Sequence, residues 1–319
     1  MPRRGGRADA NDTRRRFVRM FSVSHHKGGA PVLMVVHAHP DDESSQTGGI
    51  LARYAAAGCY TVLIICTDGG QGDAAHGVKP NQPGHDPRVV AARRSRELAR
   101  AAAMLSVSVV VKLGYPDSGL PTDGAEGAAA DSFSRRALRP MVTRLVRLMR
   151  RYQPDVVVTY PPNGLSGHPD HIRTHDLVVA AHTNIVANGR HEAGLGQAAD
   201  SLPRGPKLYY IALSATRLRA AQTSALAVLG AGAWVPPDEM AVDDAQITTV
   251  IDVAPFWANK LRALSAHASQ SDAARVLQVL TAAGDSAGVR GRVEEYVRAY
   301  PPAVGPRSTM EHDFFESVG

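Results

Sequence analysis

At 319 residues and 33.9 kDa, with 44% hydrophobic and 21% charged residues, the chain has the composition of a globular protein and the length for one large core. No apolar run approaches the ~18 residues of a membrane span and the N-terminus has no continuous apolar stretch such as a signal peptide needs, so the expectation is a cytoplasmic protein without a membrane partner. The net charge of +6 and pI of 9.5 would suit a nucleic-acid binder, but residues 1–30 carry eight Lys/Arg against two Asp while residues 31–319 carry 28 of each sign, so the body of the chain has no excess charge to offer a polyanion.

Residues 1–30, basic and poor in apolar side chains, read as a disordered, solvated extension. The run Arg14-Arg15-Arg16 is followed by Ser22, Ser24, His25, His26 and Lys27 and not by the apolar segment of an export signal. From Pro31 the pattern becomes regular, and residues 31–319 read as a single domain. The runs Val32–Val36, Tyr60–Cys66, Val107–Leu113 and Asp155–Tyr160 are short, rich in Val and Ile, and nearly continuous, as strands buried on both faces of a parallel sheet are. Helical patterns separate them. One spans about Ser45 to Ala57 before Gly58, a suitable C-terminal cap; the second runs from Arg88 to Met104; the third, from Ser134 to Tyr152, repeats Leu138, Met141, Leu145 and Leu148 before Pro154. The only two cysteines, Cys59 and Cys66, lie at opposite ends of the second strand, ~20 Å apart if extended, and cannot bridge each other.

A fourth helix is expected over His171–Ala187, then a loop or insertion rich in Gly, Ala and Pro over Gly189–Pro206. Strands at Leu208–Leu213 and Ile247–Val253 and helices near Ala215–Leu229, Pro255–His267 and Ala273–Ala283 complete the chain, with no internal repeat. Strand and helix alternate throughout the first half. The fold expected is therefore α/β, a three-layer Rossmann-like arrangement around a mostly parallel sheet.

The chemistry gathers after two strands. The first runs into His39-Pro40-Asp41-Asp42-Glu43, and the fourth runs through a Pro/Gly loop into His168-Pro169-Asp170-His171. Ligands of an open α/β sheet bind outside the carboxyl ends of its strands, where strand order reverses, and the first and fourth strands are neighbours there. Imidazole and carboxylate suit zinc, which in catalytic sites takes three protein ligands and a water; two histidines and one carboxylate from these clusters would make that set. A second carboxylate beside the metal could take a proton from the water, whose pKa the metal lowers to about 7. Any one of Asp42, Glu43, Ser44 or Asp170 alone would be read as a helix cap; two such clusters at strand ends argue for a site.

At these residues the chain resembles the LmbE-like or PIG-L superfamily of zinc-dependent N-deacetylases, over most of residues 31–190. Gly114-Tyr115-Pro116-Asp117-Ser118-Gly119 after the third strand, and Lys260 with Ala266-His267-Ala268-Ser269-Gln270, are further points of similarity. The Asp117-Ser118-Gly119 element is most similar to the mycothiol branch, the N-acetylglucosaminyl-inositol deacetylases and mycothiol S-conjugate amidases. The resemblance implies Zn2+ held by His39, Asp42 and His171, with Asp41 as general base. It also implies that His168, oriented by Asp170, stabilises the oxyanion or protonates the leaving amine, and that Asp117 contacts sugar hydroxyls. Gln71, in Gly70-Gln71-Gly72-Asp73, stands where that branch often has arginine, and Ser166 where it often has tyrosine; both bear on the substrate. Gln71 and His267 are also candidates for substrate binding. The implied reaction is hydrolysis of an amide on an N-acyl amino-sugar-type small molecule.

Other readings compete. His175, one turn after His171, offers an alternative metal pair but is more simply a satisfied helix histidine; His37 reads as packed. Gly69-Gly70-Gln71-Gly72 follows the second strand and does not fit a dinucleotide-binding fingerprint, and no nucleophile elbow surrounds Ser118 or Ser166. A metal-dependent hydrolase of another substrate class would fit the same scaffold, and a non-catalytic sugar- or RNA-binding protein is the rival of a different kind. Oligomerisation is compatible with the sequence and not encoded in it. The confinement of excess charge to residues 1–30 predicts that deleting them lowers the pI and leaves thermal unfolding and turnover nearly unchanged; a truncated chain that fails to fold would contradict it.

Overall fold

The computed structural model describes residues 29–120, 128–192, 205–286, 292–302 and 310–315. The basic extension therefore lies outside the described residues, apart from Gly29 and Ala30. Seven strands form one sheet: β1 (Val32–His37), β2 (Tyr60–Thr67), β3 (Val109–Tyr115), β4 (Val156–Thr159), β5 (Lys207–Ala212), β6 (Thr249–Asp252) and β7 (Val293–Tyr300). Their order across the sheet is β3-β2-β1-β4-β5-β7-β6. The first five pair in parallel, and β7 runs antiparallel between β5 and β6. The helices are α1 (Asp42–Ala56), α2 (Pro87–Met104), α3 (Leu138–Tyr152), α4 (Pro169–Glu192), α5 (Ala215–Leu229), α6 (Trp257–Ser265) and α7 (Ser271–Ser286).

The continuous apolar runs have their explanation in this layering. Successive side chains of a strand point to opposite faces, and both faces are covered. Leu33 and Val35 of β1 pack with Ile50, Leu51 and Tyr54 of α1, Leu98 of α2 and Trp257 of α6. Met34 and Val36, facing the other way, pack with Met141 and Leu145 of α3 and with Leu177 and Val178 of α4. Neither parity of β1 can be polar, so no alternation survives in the sequence. Both cysteines are buried and free. Among the described residues no helix is long and apolar enough to cross a membrane.

Boundaries shift where local polar contacts outweigh periodicity. The first helix begins at Asp42, not Ser45, because the Ser44 and Ser45 N–H groups already bond to the Asp41 carbonyl. It ends as expected, with Gly58 at φ 88°, the left-handed region open to glycine. The third helix starts at Leu138; Ser134 and Arg135, expected inside it, belong to a separate 3-10 turn, Phe133–Arg135. The helix expected to reach His267 stops at Ser265, which leaves His267 in the turn before α7. The loop expected from Gly189 gives way to α4, which continues to Glu192, and residues 193–204 lie outside the described residues.

The sequence reading missed β7. Its sequence VEEYVRAY carries three charges, yet Glu294, Glu295 and Arg298 are buried. Glu294 explains the cost. It accepts from Lys260 Nζ at 2.5 Å and the Tyr296 hydroxyl at 3.1 Å, and from the Gly49 and Ile50 N–H groups of α1 at 2.9 Å each. Glu294→Ala would leave the buried Lys260 ammonium without its counter-charge, so unfolding free energy measured in urea should fall by ~3–5 kcal/mol, with a smaller loss for Glu294→Gln.

Candidate active site

Strand order reverses between β1 and β4, which are paired neighbours with Leu33 opposite Val156 and Val35 opposite Val158. The segments that leave their carboxyl ends carry His39-Asp42 and His168-His171, and the segment after β3 brings Asp117 to the same edge. His39 is the meeting point. Its Nε2–H donates to the Asp170 carboxylate at 3.2 Å, 131 residues away in sequence, and lies 3.5 Å from Asp117 Oδ1. With Nε2 carrying the proton, the lone pair belongs to Nδ1, which lies 3.4 Å from Asp42 Oδ2 and 3.2 Å from His171 Nε2.

The same logic fixes the other two groups. His171 Nδ1–H donates to the Gly164 carbonyl at 3.0 Å, so its Nε2 lone pair faces inward, 3.5 Å from Asp42 Oδ1. Gly164 sits at φ 67°, and a Cβ there would come within 2.8 Å of both His171 Cβ and the Ile172 nitrogen, so only glycine lets this carbonyl approach. Asp42 is oriented by the Tyr160 hydroxyl at 2.7 Å and the His39 N–H at 2.8 Å on Oδ2, and by Gln46 on Oδ1 at 3.1 Å. The two imidazole nitrogens are thus 3.2 Å apart and border the Asp42 carboxylate, His39 Nδ1 at Oδ2 and His171 Nε2 at Oδ1, so that two nitrogens and one carboxylate, a donor set suited to zinc, face one another.

Two further sets bring ligand atoms within 4.8 Å of one another: His39 with His168 and His171, and His39 with Asp117 and Asp170. Their hydrogen bonds argue against both. The second needs a lone pair on His39 Nε2, where the proton shared with Asp170 sits. The first needs His168, whose Nδ1 accepts the Asp170 N–H at 3.1 Å and whose Nε2 therefore carries a proton. Carboxylates dominate the site. Of Asp41, Asp42, Asp117 and Asp170, only Asp41 and Asp117 pair with the buried guanidinium of Arg94, and Asp170 Oδ1 is buried without a hydrogen-bond partner. An excess of buried anionic oxygen, which strengthens the hold of His39 on a proton, equally suits a divalent cation that takes the place of that proton on Nδ1.

Burial opposes charge on every group here, and neighbours decide the outcome. Against that penalty, Asp117, Asp170 and Asp42 raise His39 well above the usual histidine range, and His171 and His39 hold Asp42 well below the carboxylate range. Burial pushes the Asp41 carboxyl up to about 6, opposed by Arg94 and assisted by Asp42. Burial, with His39 and His171 beside it, pushes His168 far down, which keeps it neutral. Asp41 also has φ 119°, a conformation that costs a non-glycine residue of order 1–3 kcal/mol and that clusters at functional sites.

The structure thus brings His39, Asp41, Asp42, His168, Asp170 and His171 together, with two differences from expectation. The Asp170 carboxylate serves His39 and the Ser118 N–H, at 2.9 Å, and only the Asp170 backbone touches His168. His267, expected at the substrate, has a fully buried side chain bonded to Glu43 at 2.7 Å. Asp117, expected to meet sugar hydroxyls, already accepts the Gln71 N–H at 3.2 Å and the Gly119 N–H at 2.9 Å. Gln71 is half-buried, its side chain against Gly119. His175 donates to the Tyr160 carbonyl at 2.9 Å, and His37 is packed against Thr47. Arg94 and Tyr160 also belong to the site without being candidates in the sequence, and Glu43, quoted there as part of the first cluster, has no role assigned to it there beyond a possible helix cap. Tyr160 carried a signal, a polar-tipped aromatic ending an apolar strand; Arg94, among Arg93, Arg96 and Arg100, carried none.

The PIG-L profile, described as GlcNAc-PI de-N-acetylase, matches residues 34–182. The chain is 37% identical over 255 residues to a 1D-myo-inositol 2-acetamido-2-deoxy-alpha-D-glucopyranoside deacetylase of Kineococcus radiotolerans, covering 75% of this chain and 68% of that protein. It is 34% identical over 299 residues to the enzyme of the same description from Actinosynnema mirum, covering 91% of this chain and 98% of the relative. Among solved structures, N,N'-diacetylchitobiose deacetylase from Pyrococcus horikoshii aligns with a TM-score of 0.54 at 19% identity, over 92% of this chain and 94% of that one. The 4-carboxy-2-hydroxymuconate hydratase of Pseudomonas putida aligns with a TM-score of 0.57 at 19% identity, over 86% and 98%. These two likenesses concern the fold, which serves a hydratase as well as a deacetylase.

These tautomers predict how metal content responds to single changes. His171→Ala should lose bound zinc, His168→Ala should retain it, and the isosteric Asp170→Asn should weaken it ~10- to 100-fold by loosening His39. Elemental analysis with chelator competition reads all three, and full occupancy in His171→Ala would refute the donor set.

Proposed function

The chain belongs to the PIG-L family of GlcNAc-PI de-N-acetylases, and from that membership we propose that it is a zinc-dependent N-deacetylase acting on an N-acetylated amino sugar, with a glucosaminyl-inositol as its substrate class. The observation that carries this reading is the convergence of His39 Nδ1, His171 Nε2 and the Asp42 carboxylate within 3.2 to 3.5 Å, beside a further carboxylate, Asp41. The relatives whose names state this activity supply the substrate class.

His39, Asp42 and His171 would hold the zinc. When bound, it acidifies the attacking water and polarises the amide carbonyl. Asp41, with Oδ2 engaged by Arg94 at 2.9 Å, keeps Oδ1 to accept a proton from that water. His168 is neutral with its proton on Nε2, the form that donates a hydrogen bond to oxygen as the carbonyl carbon becomes tetrahedral. An imidazole held neutral is a poor source of a proton for the amine. The proton taken up by Asp41 is the better one, and its transfer to nitrogen as the C–N bond breaks yields the amine and acetic acid, whose remaining proton passes to the amine or to solvent to leave acetate, with only water consumed. Asp170 keeps His39 in the tautomer that binds metal, and Arg94 keeps the Asp41 carboxylate in place between proton transfers.

Incubation of the zinc-loaded protein with N-acetylglucosaminyl-inositol, N-acetylglucosamine and N,N'-diacetylchitobiose tests the reading: acetate release from the first and its loss with chelator are expected, and no release from any would refute it. Asp41→Ala should retain zinc and lose kcat by ~10²- to 10⁴-fold with little change in KM, because a general base acts in the transition state. Loss of zinc in that variant, with retention in Asp42→Ala, would exchange the two roles.

A further inference from the structure

Asp41 occupies its unusual backbone conformation without help from its own side chain, which makes no capping bond to α1. Two other residues hold it. Glu43 Oε2 accepts the Asp41 backbone N–H at 2.9 Å, and Arg94 Nη2 donates to its carboxylate at 2.9 Å. Glu43 is itself fully buried, and its other oxygen accepts the Ser44 hydroxyl at 2.6 Å and the Nε2–H of His267 at 2.7 Å. His267 arrives from the turn between α6 and α7, 224 residues further along the chain, and is 1% exposed. The same turn grips the second support: Ser269 donates from its N–H and hydroxyl to Glu97 at 3.1 and 2.7 Å, one helical turn beyond Arg94 on α2.

A strained residue stays put only where its surroundings over-determine it, and an N–H bonded to a charged, buried carboxylate is a strong restraint. Without a donor from the C-terminal turn, Glu43 would be a buried charge short of a partner and drawn to reorient. We propose that His267 is a positioning residue for Asp41: by donating to Glu43 it keeps that carboxylate on the Asp41 amide, and so keeps the Asp41 side chain aimed at the reacting water. The inference rests on the role of Asp41 given under Proposed function. His267 touches no substrate in this arrangement; it acts across two hydrogen bonds.

The test compares His267→Leu and His267→Gln with the unaltered protein for zinc content, kcat, KM and, in metal-free protein, the NMR shift of the Asp41 amide. Both variants should keep about one zinc per chain and KM within about twofold. His267→Leu should lower kcat ~10- to 100-fold, the scale of a misplaced catalytic group, and move the Asp41 amide upfield. His267→Gln, which still donates to Glu43, should keep kcat within about threefold and the amide in place. The proposal is overturned if His267→Leu changes neither kcat nor the amide, if His267→Gln falls as far as His267→Leu, or if zinc and kcat are lost together. Should His267→Leu fail to fold, Glu43→Gln offers one acceptor oxygen to three donors: loss of kcat with zinc retained supports the proposal, and unchanged kcat overturns it. If the unaltered protein hydrolyses no N-acetyl amino sugar, the functional reading fails while the amide shifts still decide whether His267 holds Asp41.

Discussion

The proton between His39 Nε2 and the Asp170 carboxylate is the interaction on which the rest of the site depends. It settles which nitrogen of His39 is free, and so on which side of the ring a cation can sit. That bond exists only because β1 and β4 are parallel neighbours, which brings the ends of two segments more than a hundred residues apart to one edge of the sheet. The buried strands serve the site in the same way. With both faces covered by helices, the strand ends are fixed in register, and a hydrogen bond of 3.2 Å between side chains from different segments can persist.

Around this bond the site is a problem of buried charge. Carboxylates outnumber cations, and each is held in place by donors from the chain: Asp42 by Tyr160 and the His39 amide, Asp117 by Gln71 and Gly119, Asp170 by His39 and Ser118, Asp41 by Arg94. Among the described residues, Glu43 forms its ion pair with His267. The arrangement is costly without a cation and favourable with one, which couples metal binding to the order of the site. It also divides labour between adjacent residues of nearly identical chemistry. Asp42 points between two imidazoles, whereas the left-handed backbone of Asp41 turns its carboxylate toward Arg94.

Much of this was legible in the sequence, and the rest was hidden for identifiable reasons. Strands β1 to β4 announced themselves because burial on both faces forbids polar residues, and the two His-Asp clusters stood out because each followed such a strand. β7 did not, because three of its four buried positions are Glu294, Glu295 and Arg298, whose partners lie on other segments and cannot be read from spacing. Arg94 is one arginine among several on α2, told apart only by reaching Pro40, Asp41 and Gly69. His267 stands out by its motif, but its partner does not: a place in a turn, not at a helix end, puts it on Glu43. The tautomers were beyond any one-dimensional reading, since each is set by a partner on another segment.

X-ray absorption spectroscopy of the zinc-loaded protein tests the central claim most directly, because it counts imidazoles around the ion without reference to activity. Two imidazole nitrogens with oxygen donors at ~2.0–2.1 Å are expected for His39, His171 and Asp42. Three imidazoles would place His168 on the metal, and one would place the ion among His39, Asp117 and Asp170; either would contradict the tautomers on which the site has been built.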